Sequence, residues 1–229
     1  MDAAVCAIFR ERTEDDTVAG FATGFFVTHD KLFTAHHSRQ LFEPGEGTRL
    51  VIRARGGAPL PLQDMALQHH PERDLTIVTL PRVHSGSVLA FHESHGEWLA
   101  AGGAAVAKGF VCSHALEPQD APVILNEEYA LGGFRDVVHA RGKRIHDINL
   151  PQGIWIIEAR SSDVSEELTP LDDDEFPKAI DRLPNRPLYV KQGFSGRPVV
   201  WKKRVVGMTV AVRGIGVGLV SCESLTAFV

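Results

Sequence analysis

The apolar residues of this chain come in many short runs separated by turns, many of them containing Gly or Pro, and this most restricts the fold. Runs such as Ala3 to Phe9, Phe21 to Val27, Leu75 to Leu80 and Val205 to Val212 are strand-length. With 21 Gly and 13 Pro, that punctuation argues for an all-β sandwich or barrel rather than a helical fold. The 229 residues, 44% of them hydrophobic, suffice for one large all-β domain or two small barrels. Strands are expected near 3–9, 20–28, 31–35, 49–55 and 75–80, with a charged turn from Arg10 to Thr17. A second set is expected from about 104–110, then 123–125, 134–140, 153–160, 188–191, 198–201 and 204–213. Residues 81–98 read as the connector between the sets. Ser221 is placed to cap a short final helix from Cys222 to Phe228.

One turn carries chemistry. Gly193-Phe194-Ser195-Gly196-Arg197-Pro198 holds a serine between two glycines and closes with a proline. Such a turn exposes a hydroxyl beside backbone N–H groups, as a serine nucleophile with an oxyanion hole requires. Glycine tolerates the positive φ that a turn of this kind imposes, at Gly193 and at Gly196. A serine needs a base, and the base needs an orienting group. Leu32-Phe33-Thr34-Ala35 leads into two adjacent histidines, His36 and His37, either of which could be the base. Asp74 opens the alternating strand Leu75 to Leu80; Asp30 and Asp64 are rival carboxylates but lead no such strand. The chain order is His, Asp, Ser.

These blocks resemble the trypsin/chymotrypsin-like serine protease superfamily, in the style of its bacterial HtrA-like and V8-like branches. The likeness rests on Ala22-Thr23-Gly24-Phe25-Phe26, on Thr34-Ala35-His36-His37, on Asp74 to Val78, and on Gly193 to Pro198. Arg204 to Thr209 and Gly216 to Val220 extend it, while 112–187 shows little. The resemblance implies a chymotrypsin-like fold of two six-stranded antiparallel β-barrels with a short C-terminal helix. Residues 1–98 would form the N-terminal barrel, and 99–229 the C-terminal barrel. It selects His37, three residues after Thr34, as base, Asp74 as its orienter and Ser195 as nucleophile. The N–H groups of Gly193 and Ser195 would form the oxyanion hole. The substrate pocket would draw on Tyr189, Lys191, Val210, Ala211, Val212 and Arg213. Tyr189 stands where trypsin has its floor Asp, so trypsin specificity is not expected. Val210-Ala211-Val212 favours a small apolar residue before the scissile bond, whereas Arg213 or Lys191 could attract an acidic one. Phe194 replaces the Asp that pairs with a freed N-terminal amine in digestive relatives, so activation by N-terminal processing is not expected.

The resemblance leaves two other readings open: an inactive protease-like module that binds peptides by strand addition, and a protease domain of a larger bacterial signalling or defence protein. In either active form the partner is a protein or peptide substrate, with an activating protein or fused sensor possible. A net charge of −5 argues against nucleic acid as a main partner. No leader-like start and no run of about 18 apolar residues occurs, so a cytoplasmic location without membrane contact is expected. Three cysteines, Cys6, Cys112 and Cys222, form no disulfide framework and read as buried apolar groups. His92 with His95, and Cys112 with His114, fall short of a zinc-ligand pattern, so neither metal nor cofactor is expected. His69, His70 and His84 read as surface residues, and Phe25, Phe26, Phe33 and Trp201 as core aromatics. The acidic stretch 161–176 reads as a solvated loop, or as a docking loop beside the substrate cleft.

Overall fold

A computed structural model describes residues 2–14, 18–54, 60–82, 86–101, 105–113, 123–131, 137–140, 144–145, 148–149, 154–158, 195–213 and 216–229. They are mostly β-sheet. The first sheet contains β1 (Val5–Arg12), β2 (Val18–Phe26), β3 (Lys31–Ala35), β4 (Thr48–Ala54), β5 (Leu60–Pro61), β6 (Ala66–His70) and β7 (Leu75–Thr79). Its spatial order is β5-β4-β1-β2-β3-β7-β6, with every neighbouring pair antiparallel.

The alternation along these strands explains why the sheet curls. On β1, Val5, Ala7 and Phe9 enter one apolar cluster, while Cys6 and Ile8 enter another. Phe25 and Phe33 join the first cluster; Phe26 and Leu32 join the second. Successive side chains point to opposite faces, so both faces of the central strands are apolar and both must be covered. The sheet covers one face by curling on itself, around Ile8, Phe26, Leu32, Leu50, Ile52 and Val78. The other face is covered by the second sheet, since Phe110, Val205, Met208, Val210 and Val220 share a cluster with Phe9, Phe25 and Phe33.

The second sheet contains β8 (Ala105–Ser113), β9 (Val123–Leu131), β10 (Val137–Ala140), β13 (Ile154–Glu158), β14 (Pro198–Trp201), β15 (Arg204–Arg213) and β16 (Gly216–Ser221). Its order is β10-β13-β16-β15-β14-β8-β9, and β11 (Arg144–Ile145) pairs with β12 (Ile148–Asn149) apart from it. The segment before α1 (His95–Ala100) stitches the two sheets together. Leu89 N donates to Phe26 O of β2, while Val205 of β15 exchanges bonds with Ala90 O and His92 N. The C-terminal helix (Cys222–Thr226) is capped as expected, with the Ser221 hydroxyl accepting from Ser224 N.

The all-β expectation holds. Among the described residues each main sheet has seven strands, and no pairing joins its two edges. The extra strands of the first sheet, β5 and β6, are short and largely exposed edge strands, so no apolar run marks them. The expected charged turn at 10–17 is also displaced. β1 runs on to Arg12 because Arg10, Glu11 and Arg12 pair with Leu50, Arg49 and Thr48 of β4. Their charges are answered across the strands: Glu11 meets the Arg49 guanidinium at 2.7 Å, and Arg10 donates to the Thr48 hydroxyl and to Glu43 O. Trp201 is half-buried, stacking on His92 under the Lys202 ammonium, whereas Phe25, Phe26 and Phe33 are fully buried. Cys6 and Cys222 are free and buried, and burial pushes each thiol up to about 12. No described helix is long and apolar enough to cross a membrane. The expected strand at 188–191, the acidic stretch 161–176, His84, His114 and the Cys112 side chain lie outside the described residues.

Phe33 is fully buried between the sheets, edge-on to Phe25 at 6.0 Å. Phe33→Ala is expected to cost about 3–5 kcal/mol of unfolding free energy, measured by urea denaturation.

Candidate active site

β3 ends at Ala35, and the chain turns into a 3-10 segment, His36–Phe42. The opposing β7 begins at Leu75, directly across from Ala35, so Asp74 lies beside the two histidines. Asp74 closes the short turn Pro71–Arg73 in a left-handed conformation (φ 47°), with its N–H donating to Pro71 O. A non-glycine residue held there must be fixed by its surroundings, and three hydrogen bonds do so. Asp74 O accepts from His36 N at 3.0 Å, and Asp74 Oδ1 accepts from His37 N at 2.8 Å. Asp74 Oδ2 lies 2.7 Å from His37 Nδ1. A carboxylate only accepts, so neutral His37 carries its proton on Nδ1 and keeps the Nε2 lone pair free. The Asp74 side chain is only 12% exposed and the His37 side chain 49%: the carboxylate is shielded and the ring is accessible.

The competing candidates are occupied elsewhere. His36 is engaged elsewhere, with Nδ1 at 3.4 Å from the Thr76 hydroxyl and Nε2 at 3.3 Å from Arg39 Nη1. Its ring meets that of His69, whose Nδ1 lies 3.0 Å from the same hydroxyl. Asp30 accepts from the Thr28 hydroxyl at 2.7 Å in the turn between β2 and β3. Asp64 lies in the turn between β5 and β6, at φ 54°.

Ser195 reaches the first sheet through its backbone. Its carbonyl accepts from Thr23 N at 3.4 Å, and Gly196 N donates to Thr209 O at 2.7 Å. Gly196 has φ 84°, and a Cβ there would lie 2.1 Å from Thr23 O and 2.9 Å from the Thr34 hydroxyl. The serine turn is therefore seated on Thr23 and Thr34, and Thr34 begins the segment that ends in His37. The Ser195 hydroxyl donates to Val210 O at 3.5 Å, so it is directed at β15 and not hydrogen-bonded to His37. Val210 is buried on β15. Ala211, Val212 and Arg213 continue that strand opposite Gly218, Val217 and Gly216; their side chains lie outside the described residues. Tyr189, Lys191 and Gly193 also lie outside them. Among the described residues no group of three His, Cys, Asp or Glu could hold a metal ion.

Two features of the site escape a reading of motifs. Arg197 is wholly buried and donates from Nη2 to Phe110 O at 2.8 Å. Gly109 makes room for it, since a Cβ there would meet Arg197 Cγ at 2.5 Å. Thr23, Thr34 and Thr209 are buried hydroxyls that bond the backbone of the serine turn and its supports. Threonines within strand runs read as ordinary strand residues, and only the docked turn gives them this role.

No protein-family profile matches the chain, and neither does any curated protein sequence. Solved structures do match. The Rv3671c protease from M. tuberculosis in its active form superposes with a TM-score of 0.58 at 15% identity, over 99% of this chain and 79% of that one. The inactive form of the Rv3671c protease gives 0.56 at 15%, over 99% and 87%. A human pathogenic astrovirus serine protease gives 0.46 at 17%, over 96% and 90%. The Rv3671c likeness establishes a fold shared with that protease, consistent with the chymotrypsin-like all-β class.

Two measurements check this geometry. Gly196→Ala adds a methyl against Thr23 O at a positive φ, so a loss of at least about 2 kcal/mol in unfolding free energy is expected by urea denaturation. Partial burial holds His36 below the ordinary histidine range, and the nearby His69 and Arg39 act in the same direction while Asp74 opposes them. The unfolded chain therefore takes up this proton first, so its contribution falls as pH drops through about 6.5. Wild type is expected to lose more stability than His36→Gln between about pH 7 and about pH 5, by denaturant titration at each pH.

Proposed function

We propose that this chain is a serine endopeptidase of the trypsin-like superfamily, in the style of its HtrA-like and V8-like branches. The observation that carries the reading is the His37–Asp74 pair, with one carboxylate oxygen on the ring and the other on the backbone of the same residue. The fold shared with the Rv3671c protease supports it. In this reading Ser195 Oγ attacks a peptide carbonyl, while His37 Nε2 takes the hydroxyl proton and returns it to the leaving amine. Asp74 holds the ring in the Nδ1–H tautomer and stabilises its charged form. The N–H groups of Gly193 and Ser195 receive the oxyanion, where one donor is worth roughly 3–4 kcal/mol of transition-state stabilisation. Water then releases the acyl group.

The two halves, 1–98 and 99–229, act as one protease unit working on protein substrates in the cytoplasm. Tyr189, Lys191 and Val210 to Arg213 line the pocket, with a preference for small apolar residues before the scissile bond. Control is by loop ordering or by a partner, and the Ser195 hydroxyl, directed at Val210 O, turns to His37 before it reacts. The same contact favours the second reading, a peptide-binding module that does not hydrolyse.

A fluorophosphonate probe separates the two. Labelling of wild type is expected, with none on Ser195→Ala or His37→Ala; absence of labelling in all three, with and without candidate peptides, points to the binding module. In peptide hydrolysis assays Asp74→Asn is expected to lower kcat by about 10⁴-fold, because the ring loses its correct tautomer.

A further inference from the structure

The turn that presents Asp74 belongs to the first sheet, but it is held from the side by the last segment of the chain. Arg73, the residue before Asp74, donates from Nη1 to Ser224 O at 3.1 Å. Its guanidinium lies over the Phe228 ring, 5.2 Å from the centroid. The same ring packs on His70, at 4.2 Å between centroids. His70 ends β6 and immediately precedes the turn, so Phe228 touches both sides of Pro71–Arg73. His70 packs as a plate here: Nε2 is buried without a hydrogen-bond partner among the described residues, while Nδ1 faces Glu72 at 3.6 Å. Phe228 is half-buried and packs against the inter-sheet core, and Leu225 in the preceding helix is fully buried. The segment is thus anchored at its helix and grips the turn at its far end.

We propose that Ser221–Phe228 is a clasp that fixes the geometry of Asp74, with Phe228 a positioning residue acting through Arg73 and His70. Three considerations carry this. First, Asp74 occupies a left-handed conformation, uncommon for a residue other than glycine, and the tail grips the residue immediately before it. Second, Arg73 is the cation closest in sequence to Asp74, and a guanidinium free to swing onto the carboxylate would compete with His37 for it. The Ser224 carbonyl and the Phe228 face hold that charge elsewhere. Third, the clasp begins at Ser221, the last residue of β16, the neighbour of β15, whose Thr209 and Val210 carbonyls bond the serine turn. Placement of the nucleophile segment and placement of Asp74 are thereby joined in one rigid path. This inference rests on the protease reading for its consequence in catalysis, but its geometric content stands apart from hydrolysis.

The test uses the downfield NMR resonance of the His37 Nδ1 proton, recorded in the full Ser195→Ala chain where no turnover occurs. Phe228→Ala, Phe228→Leu and Ile52→Ala are added in turn; Ile52 is a core residue of β4 in the other apolar cluster. The resonance is expected to move upfield and broaden with Phe228→Ala, to move less with Phe228→Leu, and to stay put with Ile52→Ala despite its loss of stability. With Ser195 present, Phe228→Ala is expected to lower kcat by about tenfold to a hundredfold, as small displacements of a catalytic group do. KM should change by less than about twofold. If Phe228→Ala does not fold, Phe228→Leu alone decides. An unmoved resonance in a folded Phe228 variant overturns the clasp, as does an equal shift in Ile52→Ala. A resonance that moves as stated in a chain without hydrolytic activity upholds the clasp and overturns the protease reading.

Discussion

Thr23 is the point through which the rest of the site is tied together. It lies in the second strand of the first sheet, fully buried, and each of its polar groups reaches a different element. Its N–H donates to Ser195 O, its carbonyl accepts from the Thr34 hydroxyl, and its own hydroxyl accepts from Phe110 N on the second sheet. Buried polar groups of this kind cannot be left unpaired without a substantial penalty, so the arrangement permits few alternatives. The serine turn, the strand leading to His37 and the first strand of the second sheet are held to one residue. Arg197 completes the junction, because its guanidinium bonds the carbonyl of the same Phe110 whose N–H bonds Thr23.

Around this junction the chemistry is divided between rigid and accessible parts. The His37–Asp74 pair rests on strand ends and a left-handed turn, with Asp74 shielded and the His37 ring open to solvent. A general base needs this combination: a buried group to orient it and a free lone pair to work with. Ser195 is placed by backbone bonds, while its hydroxyl turns to Val210 O. Main-chain placement of the serine turn and freedom of its hydroxyl are compatible, since rotation about one side-chain bond changes only the latter.

The strand runs, the glycine-flanked serine and the histidine pair were all visible as patterns, because each depends on local periodicity or on a turn that only certain residues tolerate. The edge strands β5 and β6 were not visible: Leu60–Pro61 and Ala66–His70 are largely exposed and carry no apolar alternation. The continuation of β1 through Arg10 and Glu11 was hidden for the opposite reason. A charged segment reads as a turn until its partners, Arg49 and Thr48, are seen across the sheet. His69 is exposed, as expected of a surface residue, and it also shares the Thr76 hydroxyl with His36. That sharing follows from strand register, which the sequence of either strand alone does not specify.

By itself the sequence determined the all-β class, the presence of a serine on a tight turn, and the choice of Asp74 at the head of a strand. These are local properties, set by side-chain period, by glycine's backbone freedom and by capping. The tertiary structure decided how each histidine is held, His37 on the Asp74 carboxylate and His36 on the Thr76 hydroxyl, because the pairing of Ala35 with Leu75 brings Asp74 and Thr76 within reach of the 3-10 segment. It also decided that each main sheet carries seven strands among the described residues, that Arg197 and Gly109 fill one another's space, and that the C-terminal segment grips the Asp74 turn. Each depends on contacts between residues far apart in the chain, where complementary shape and paired polar groups, and not local preference, fix the outcome.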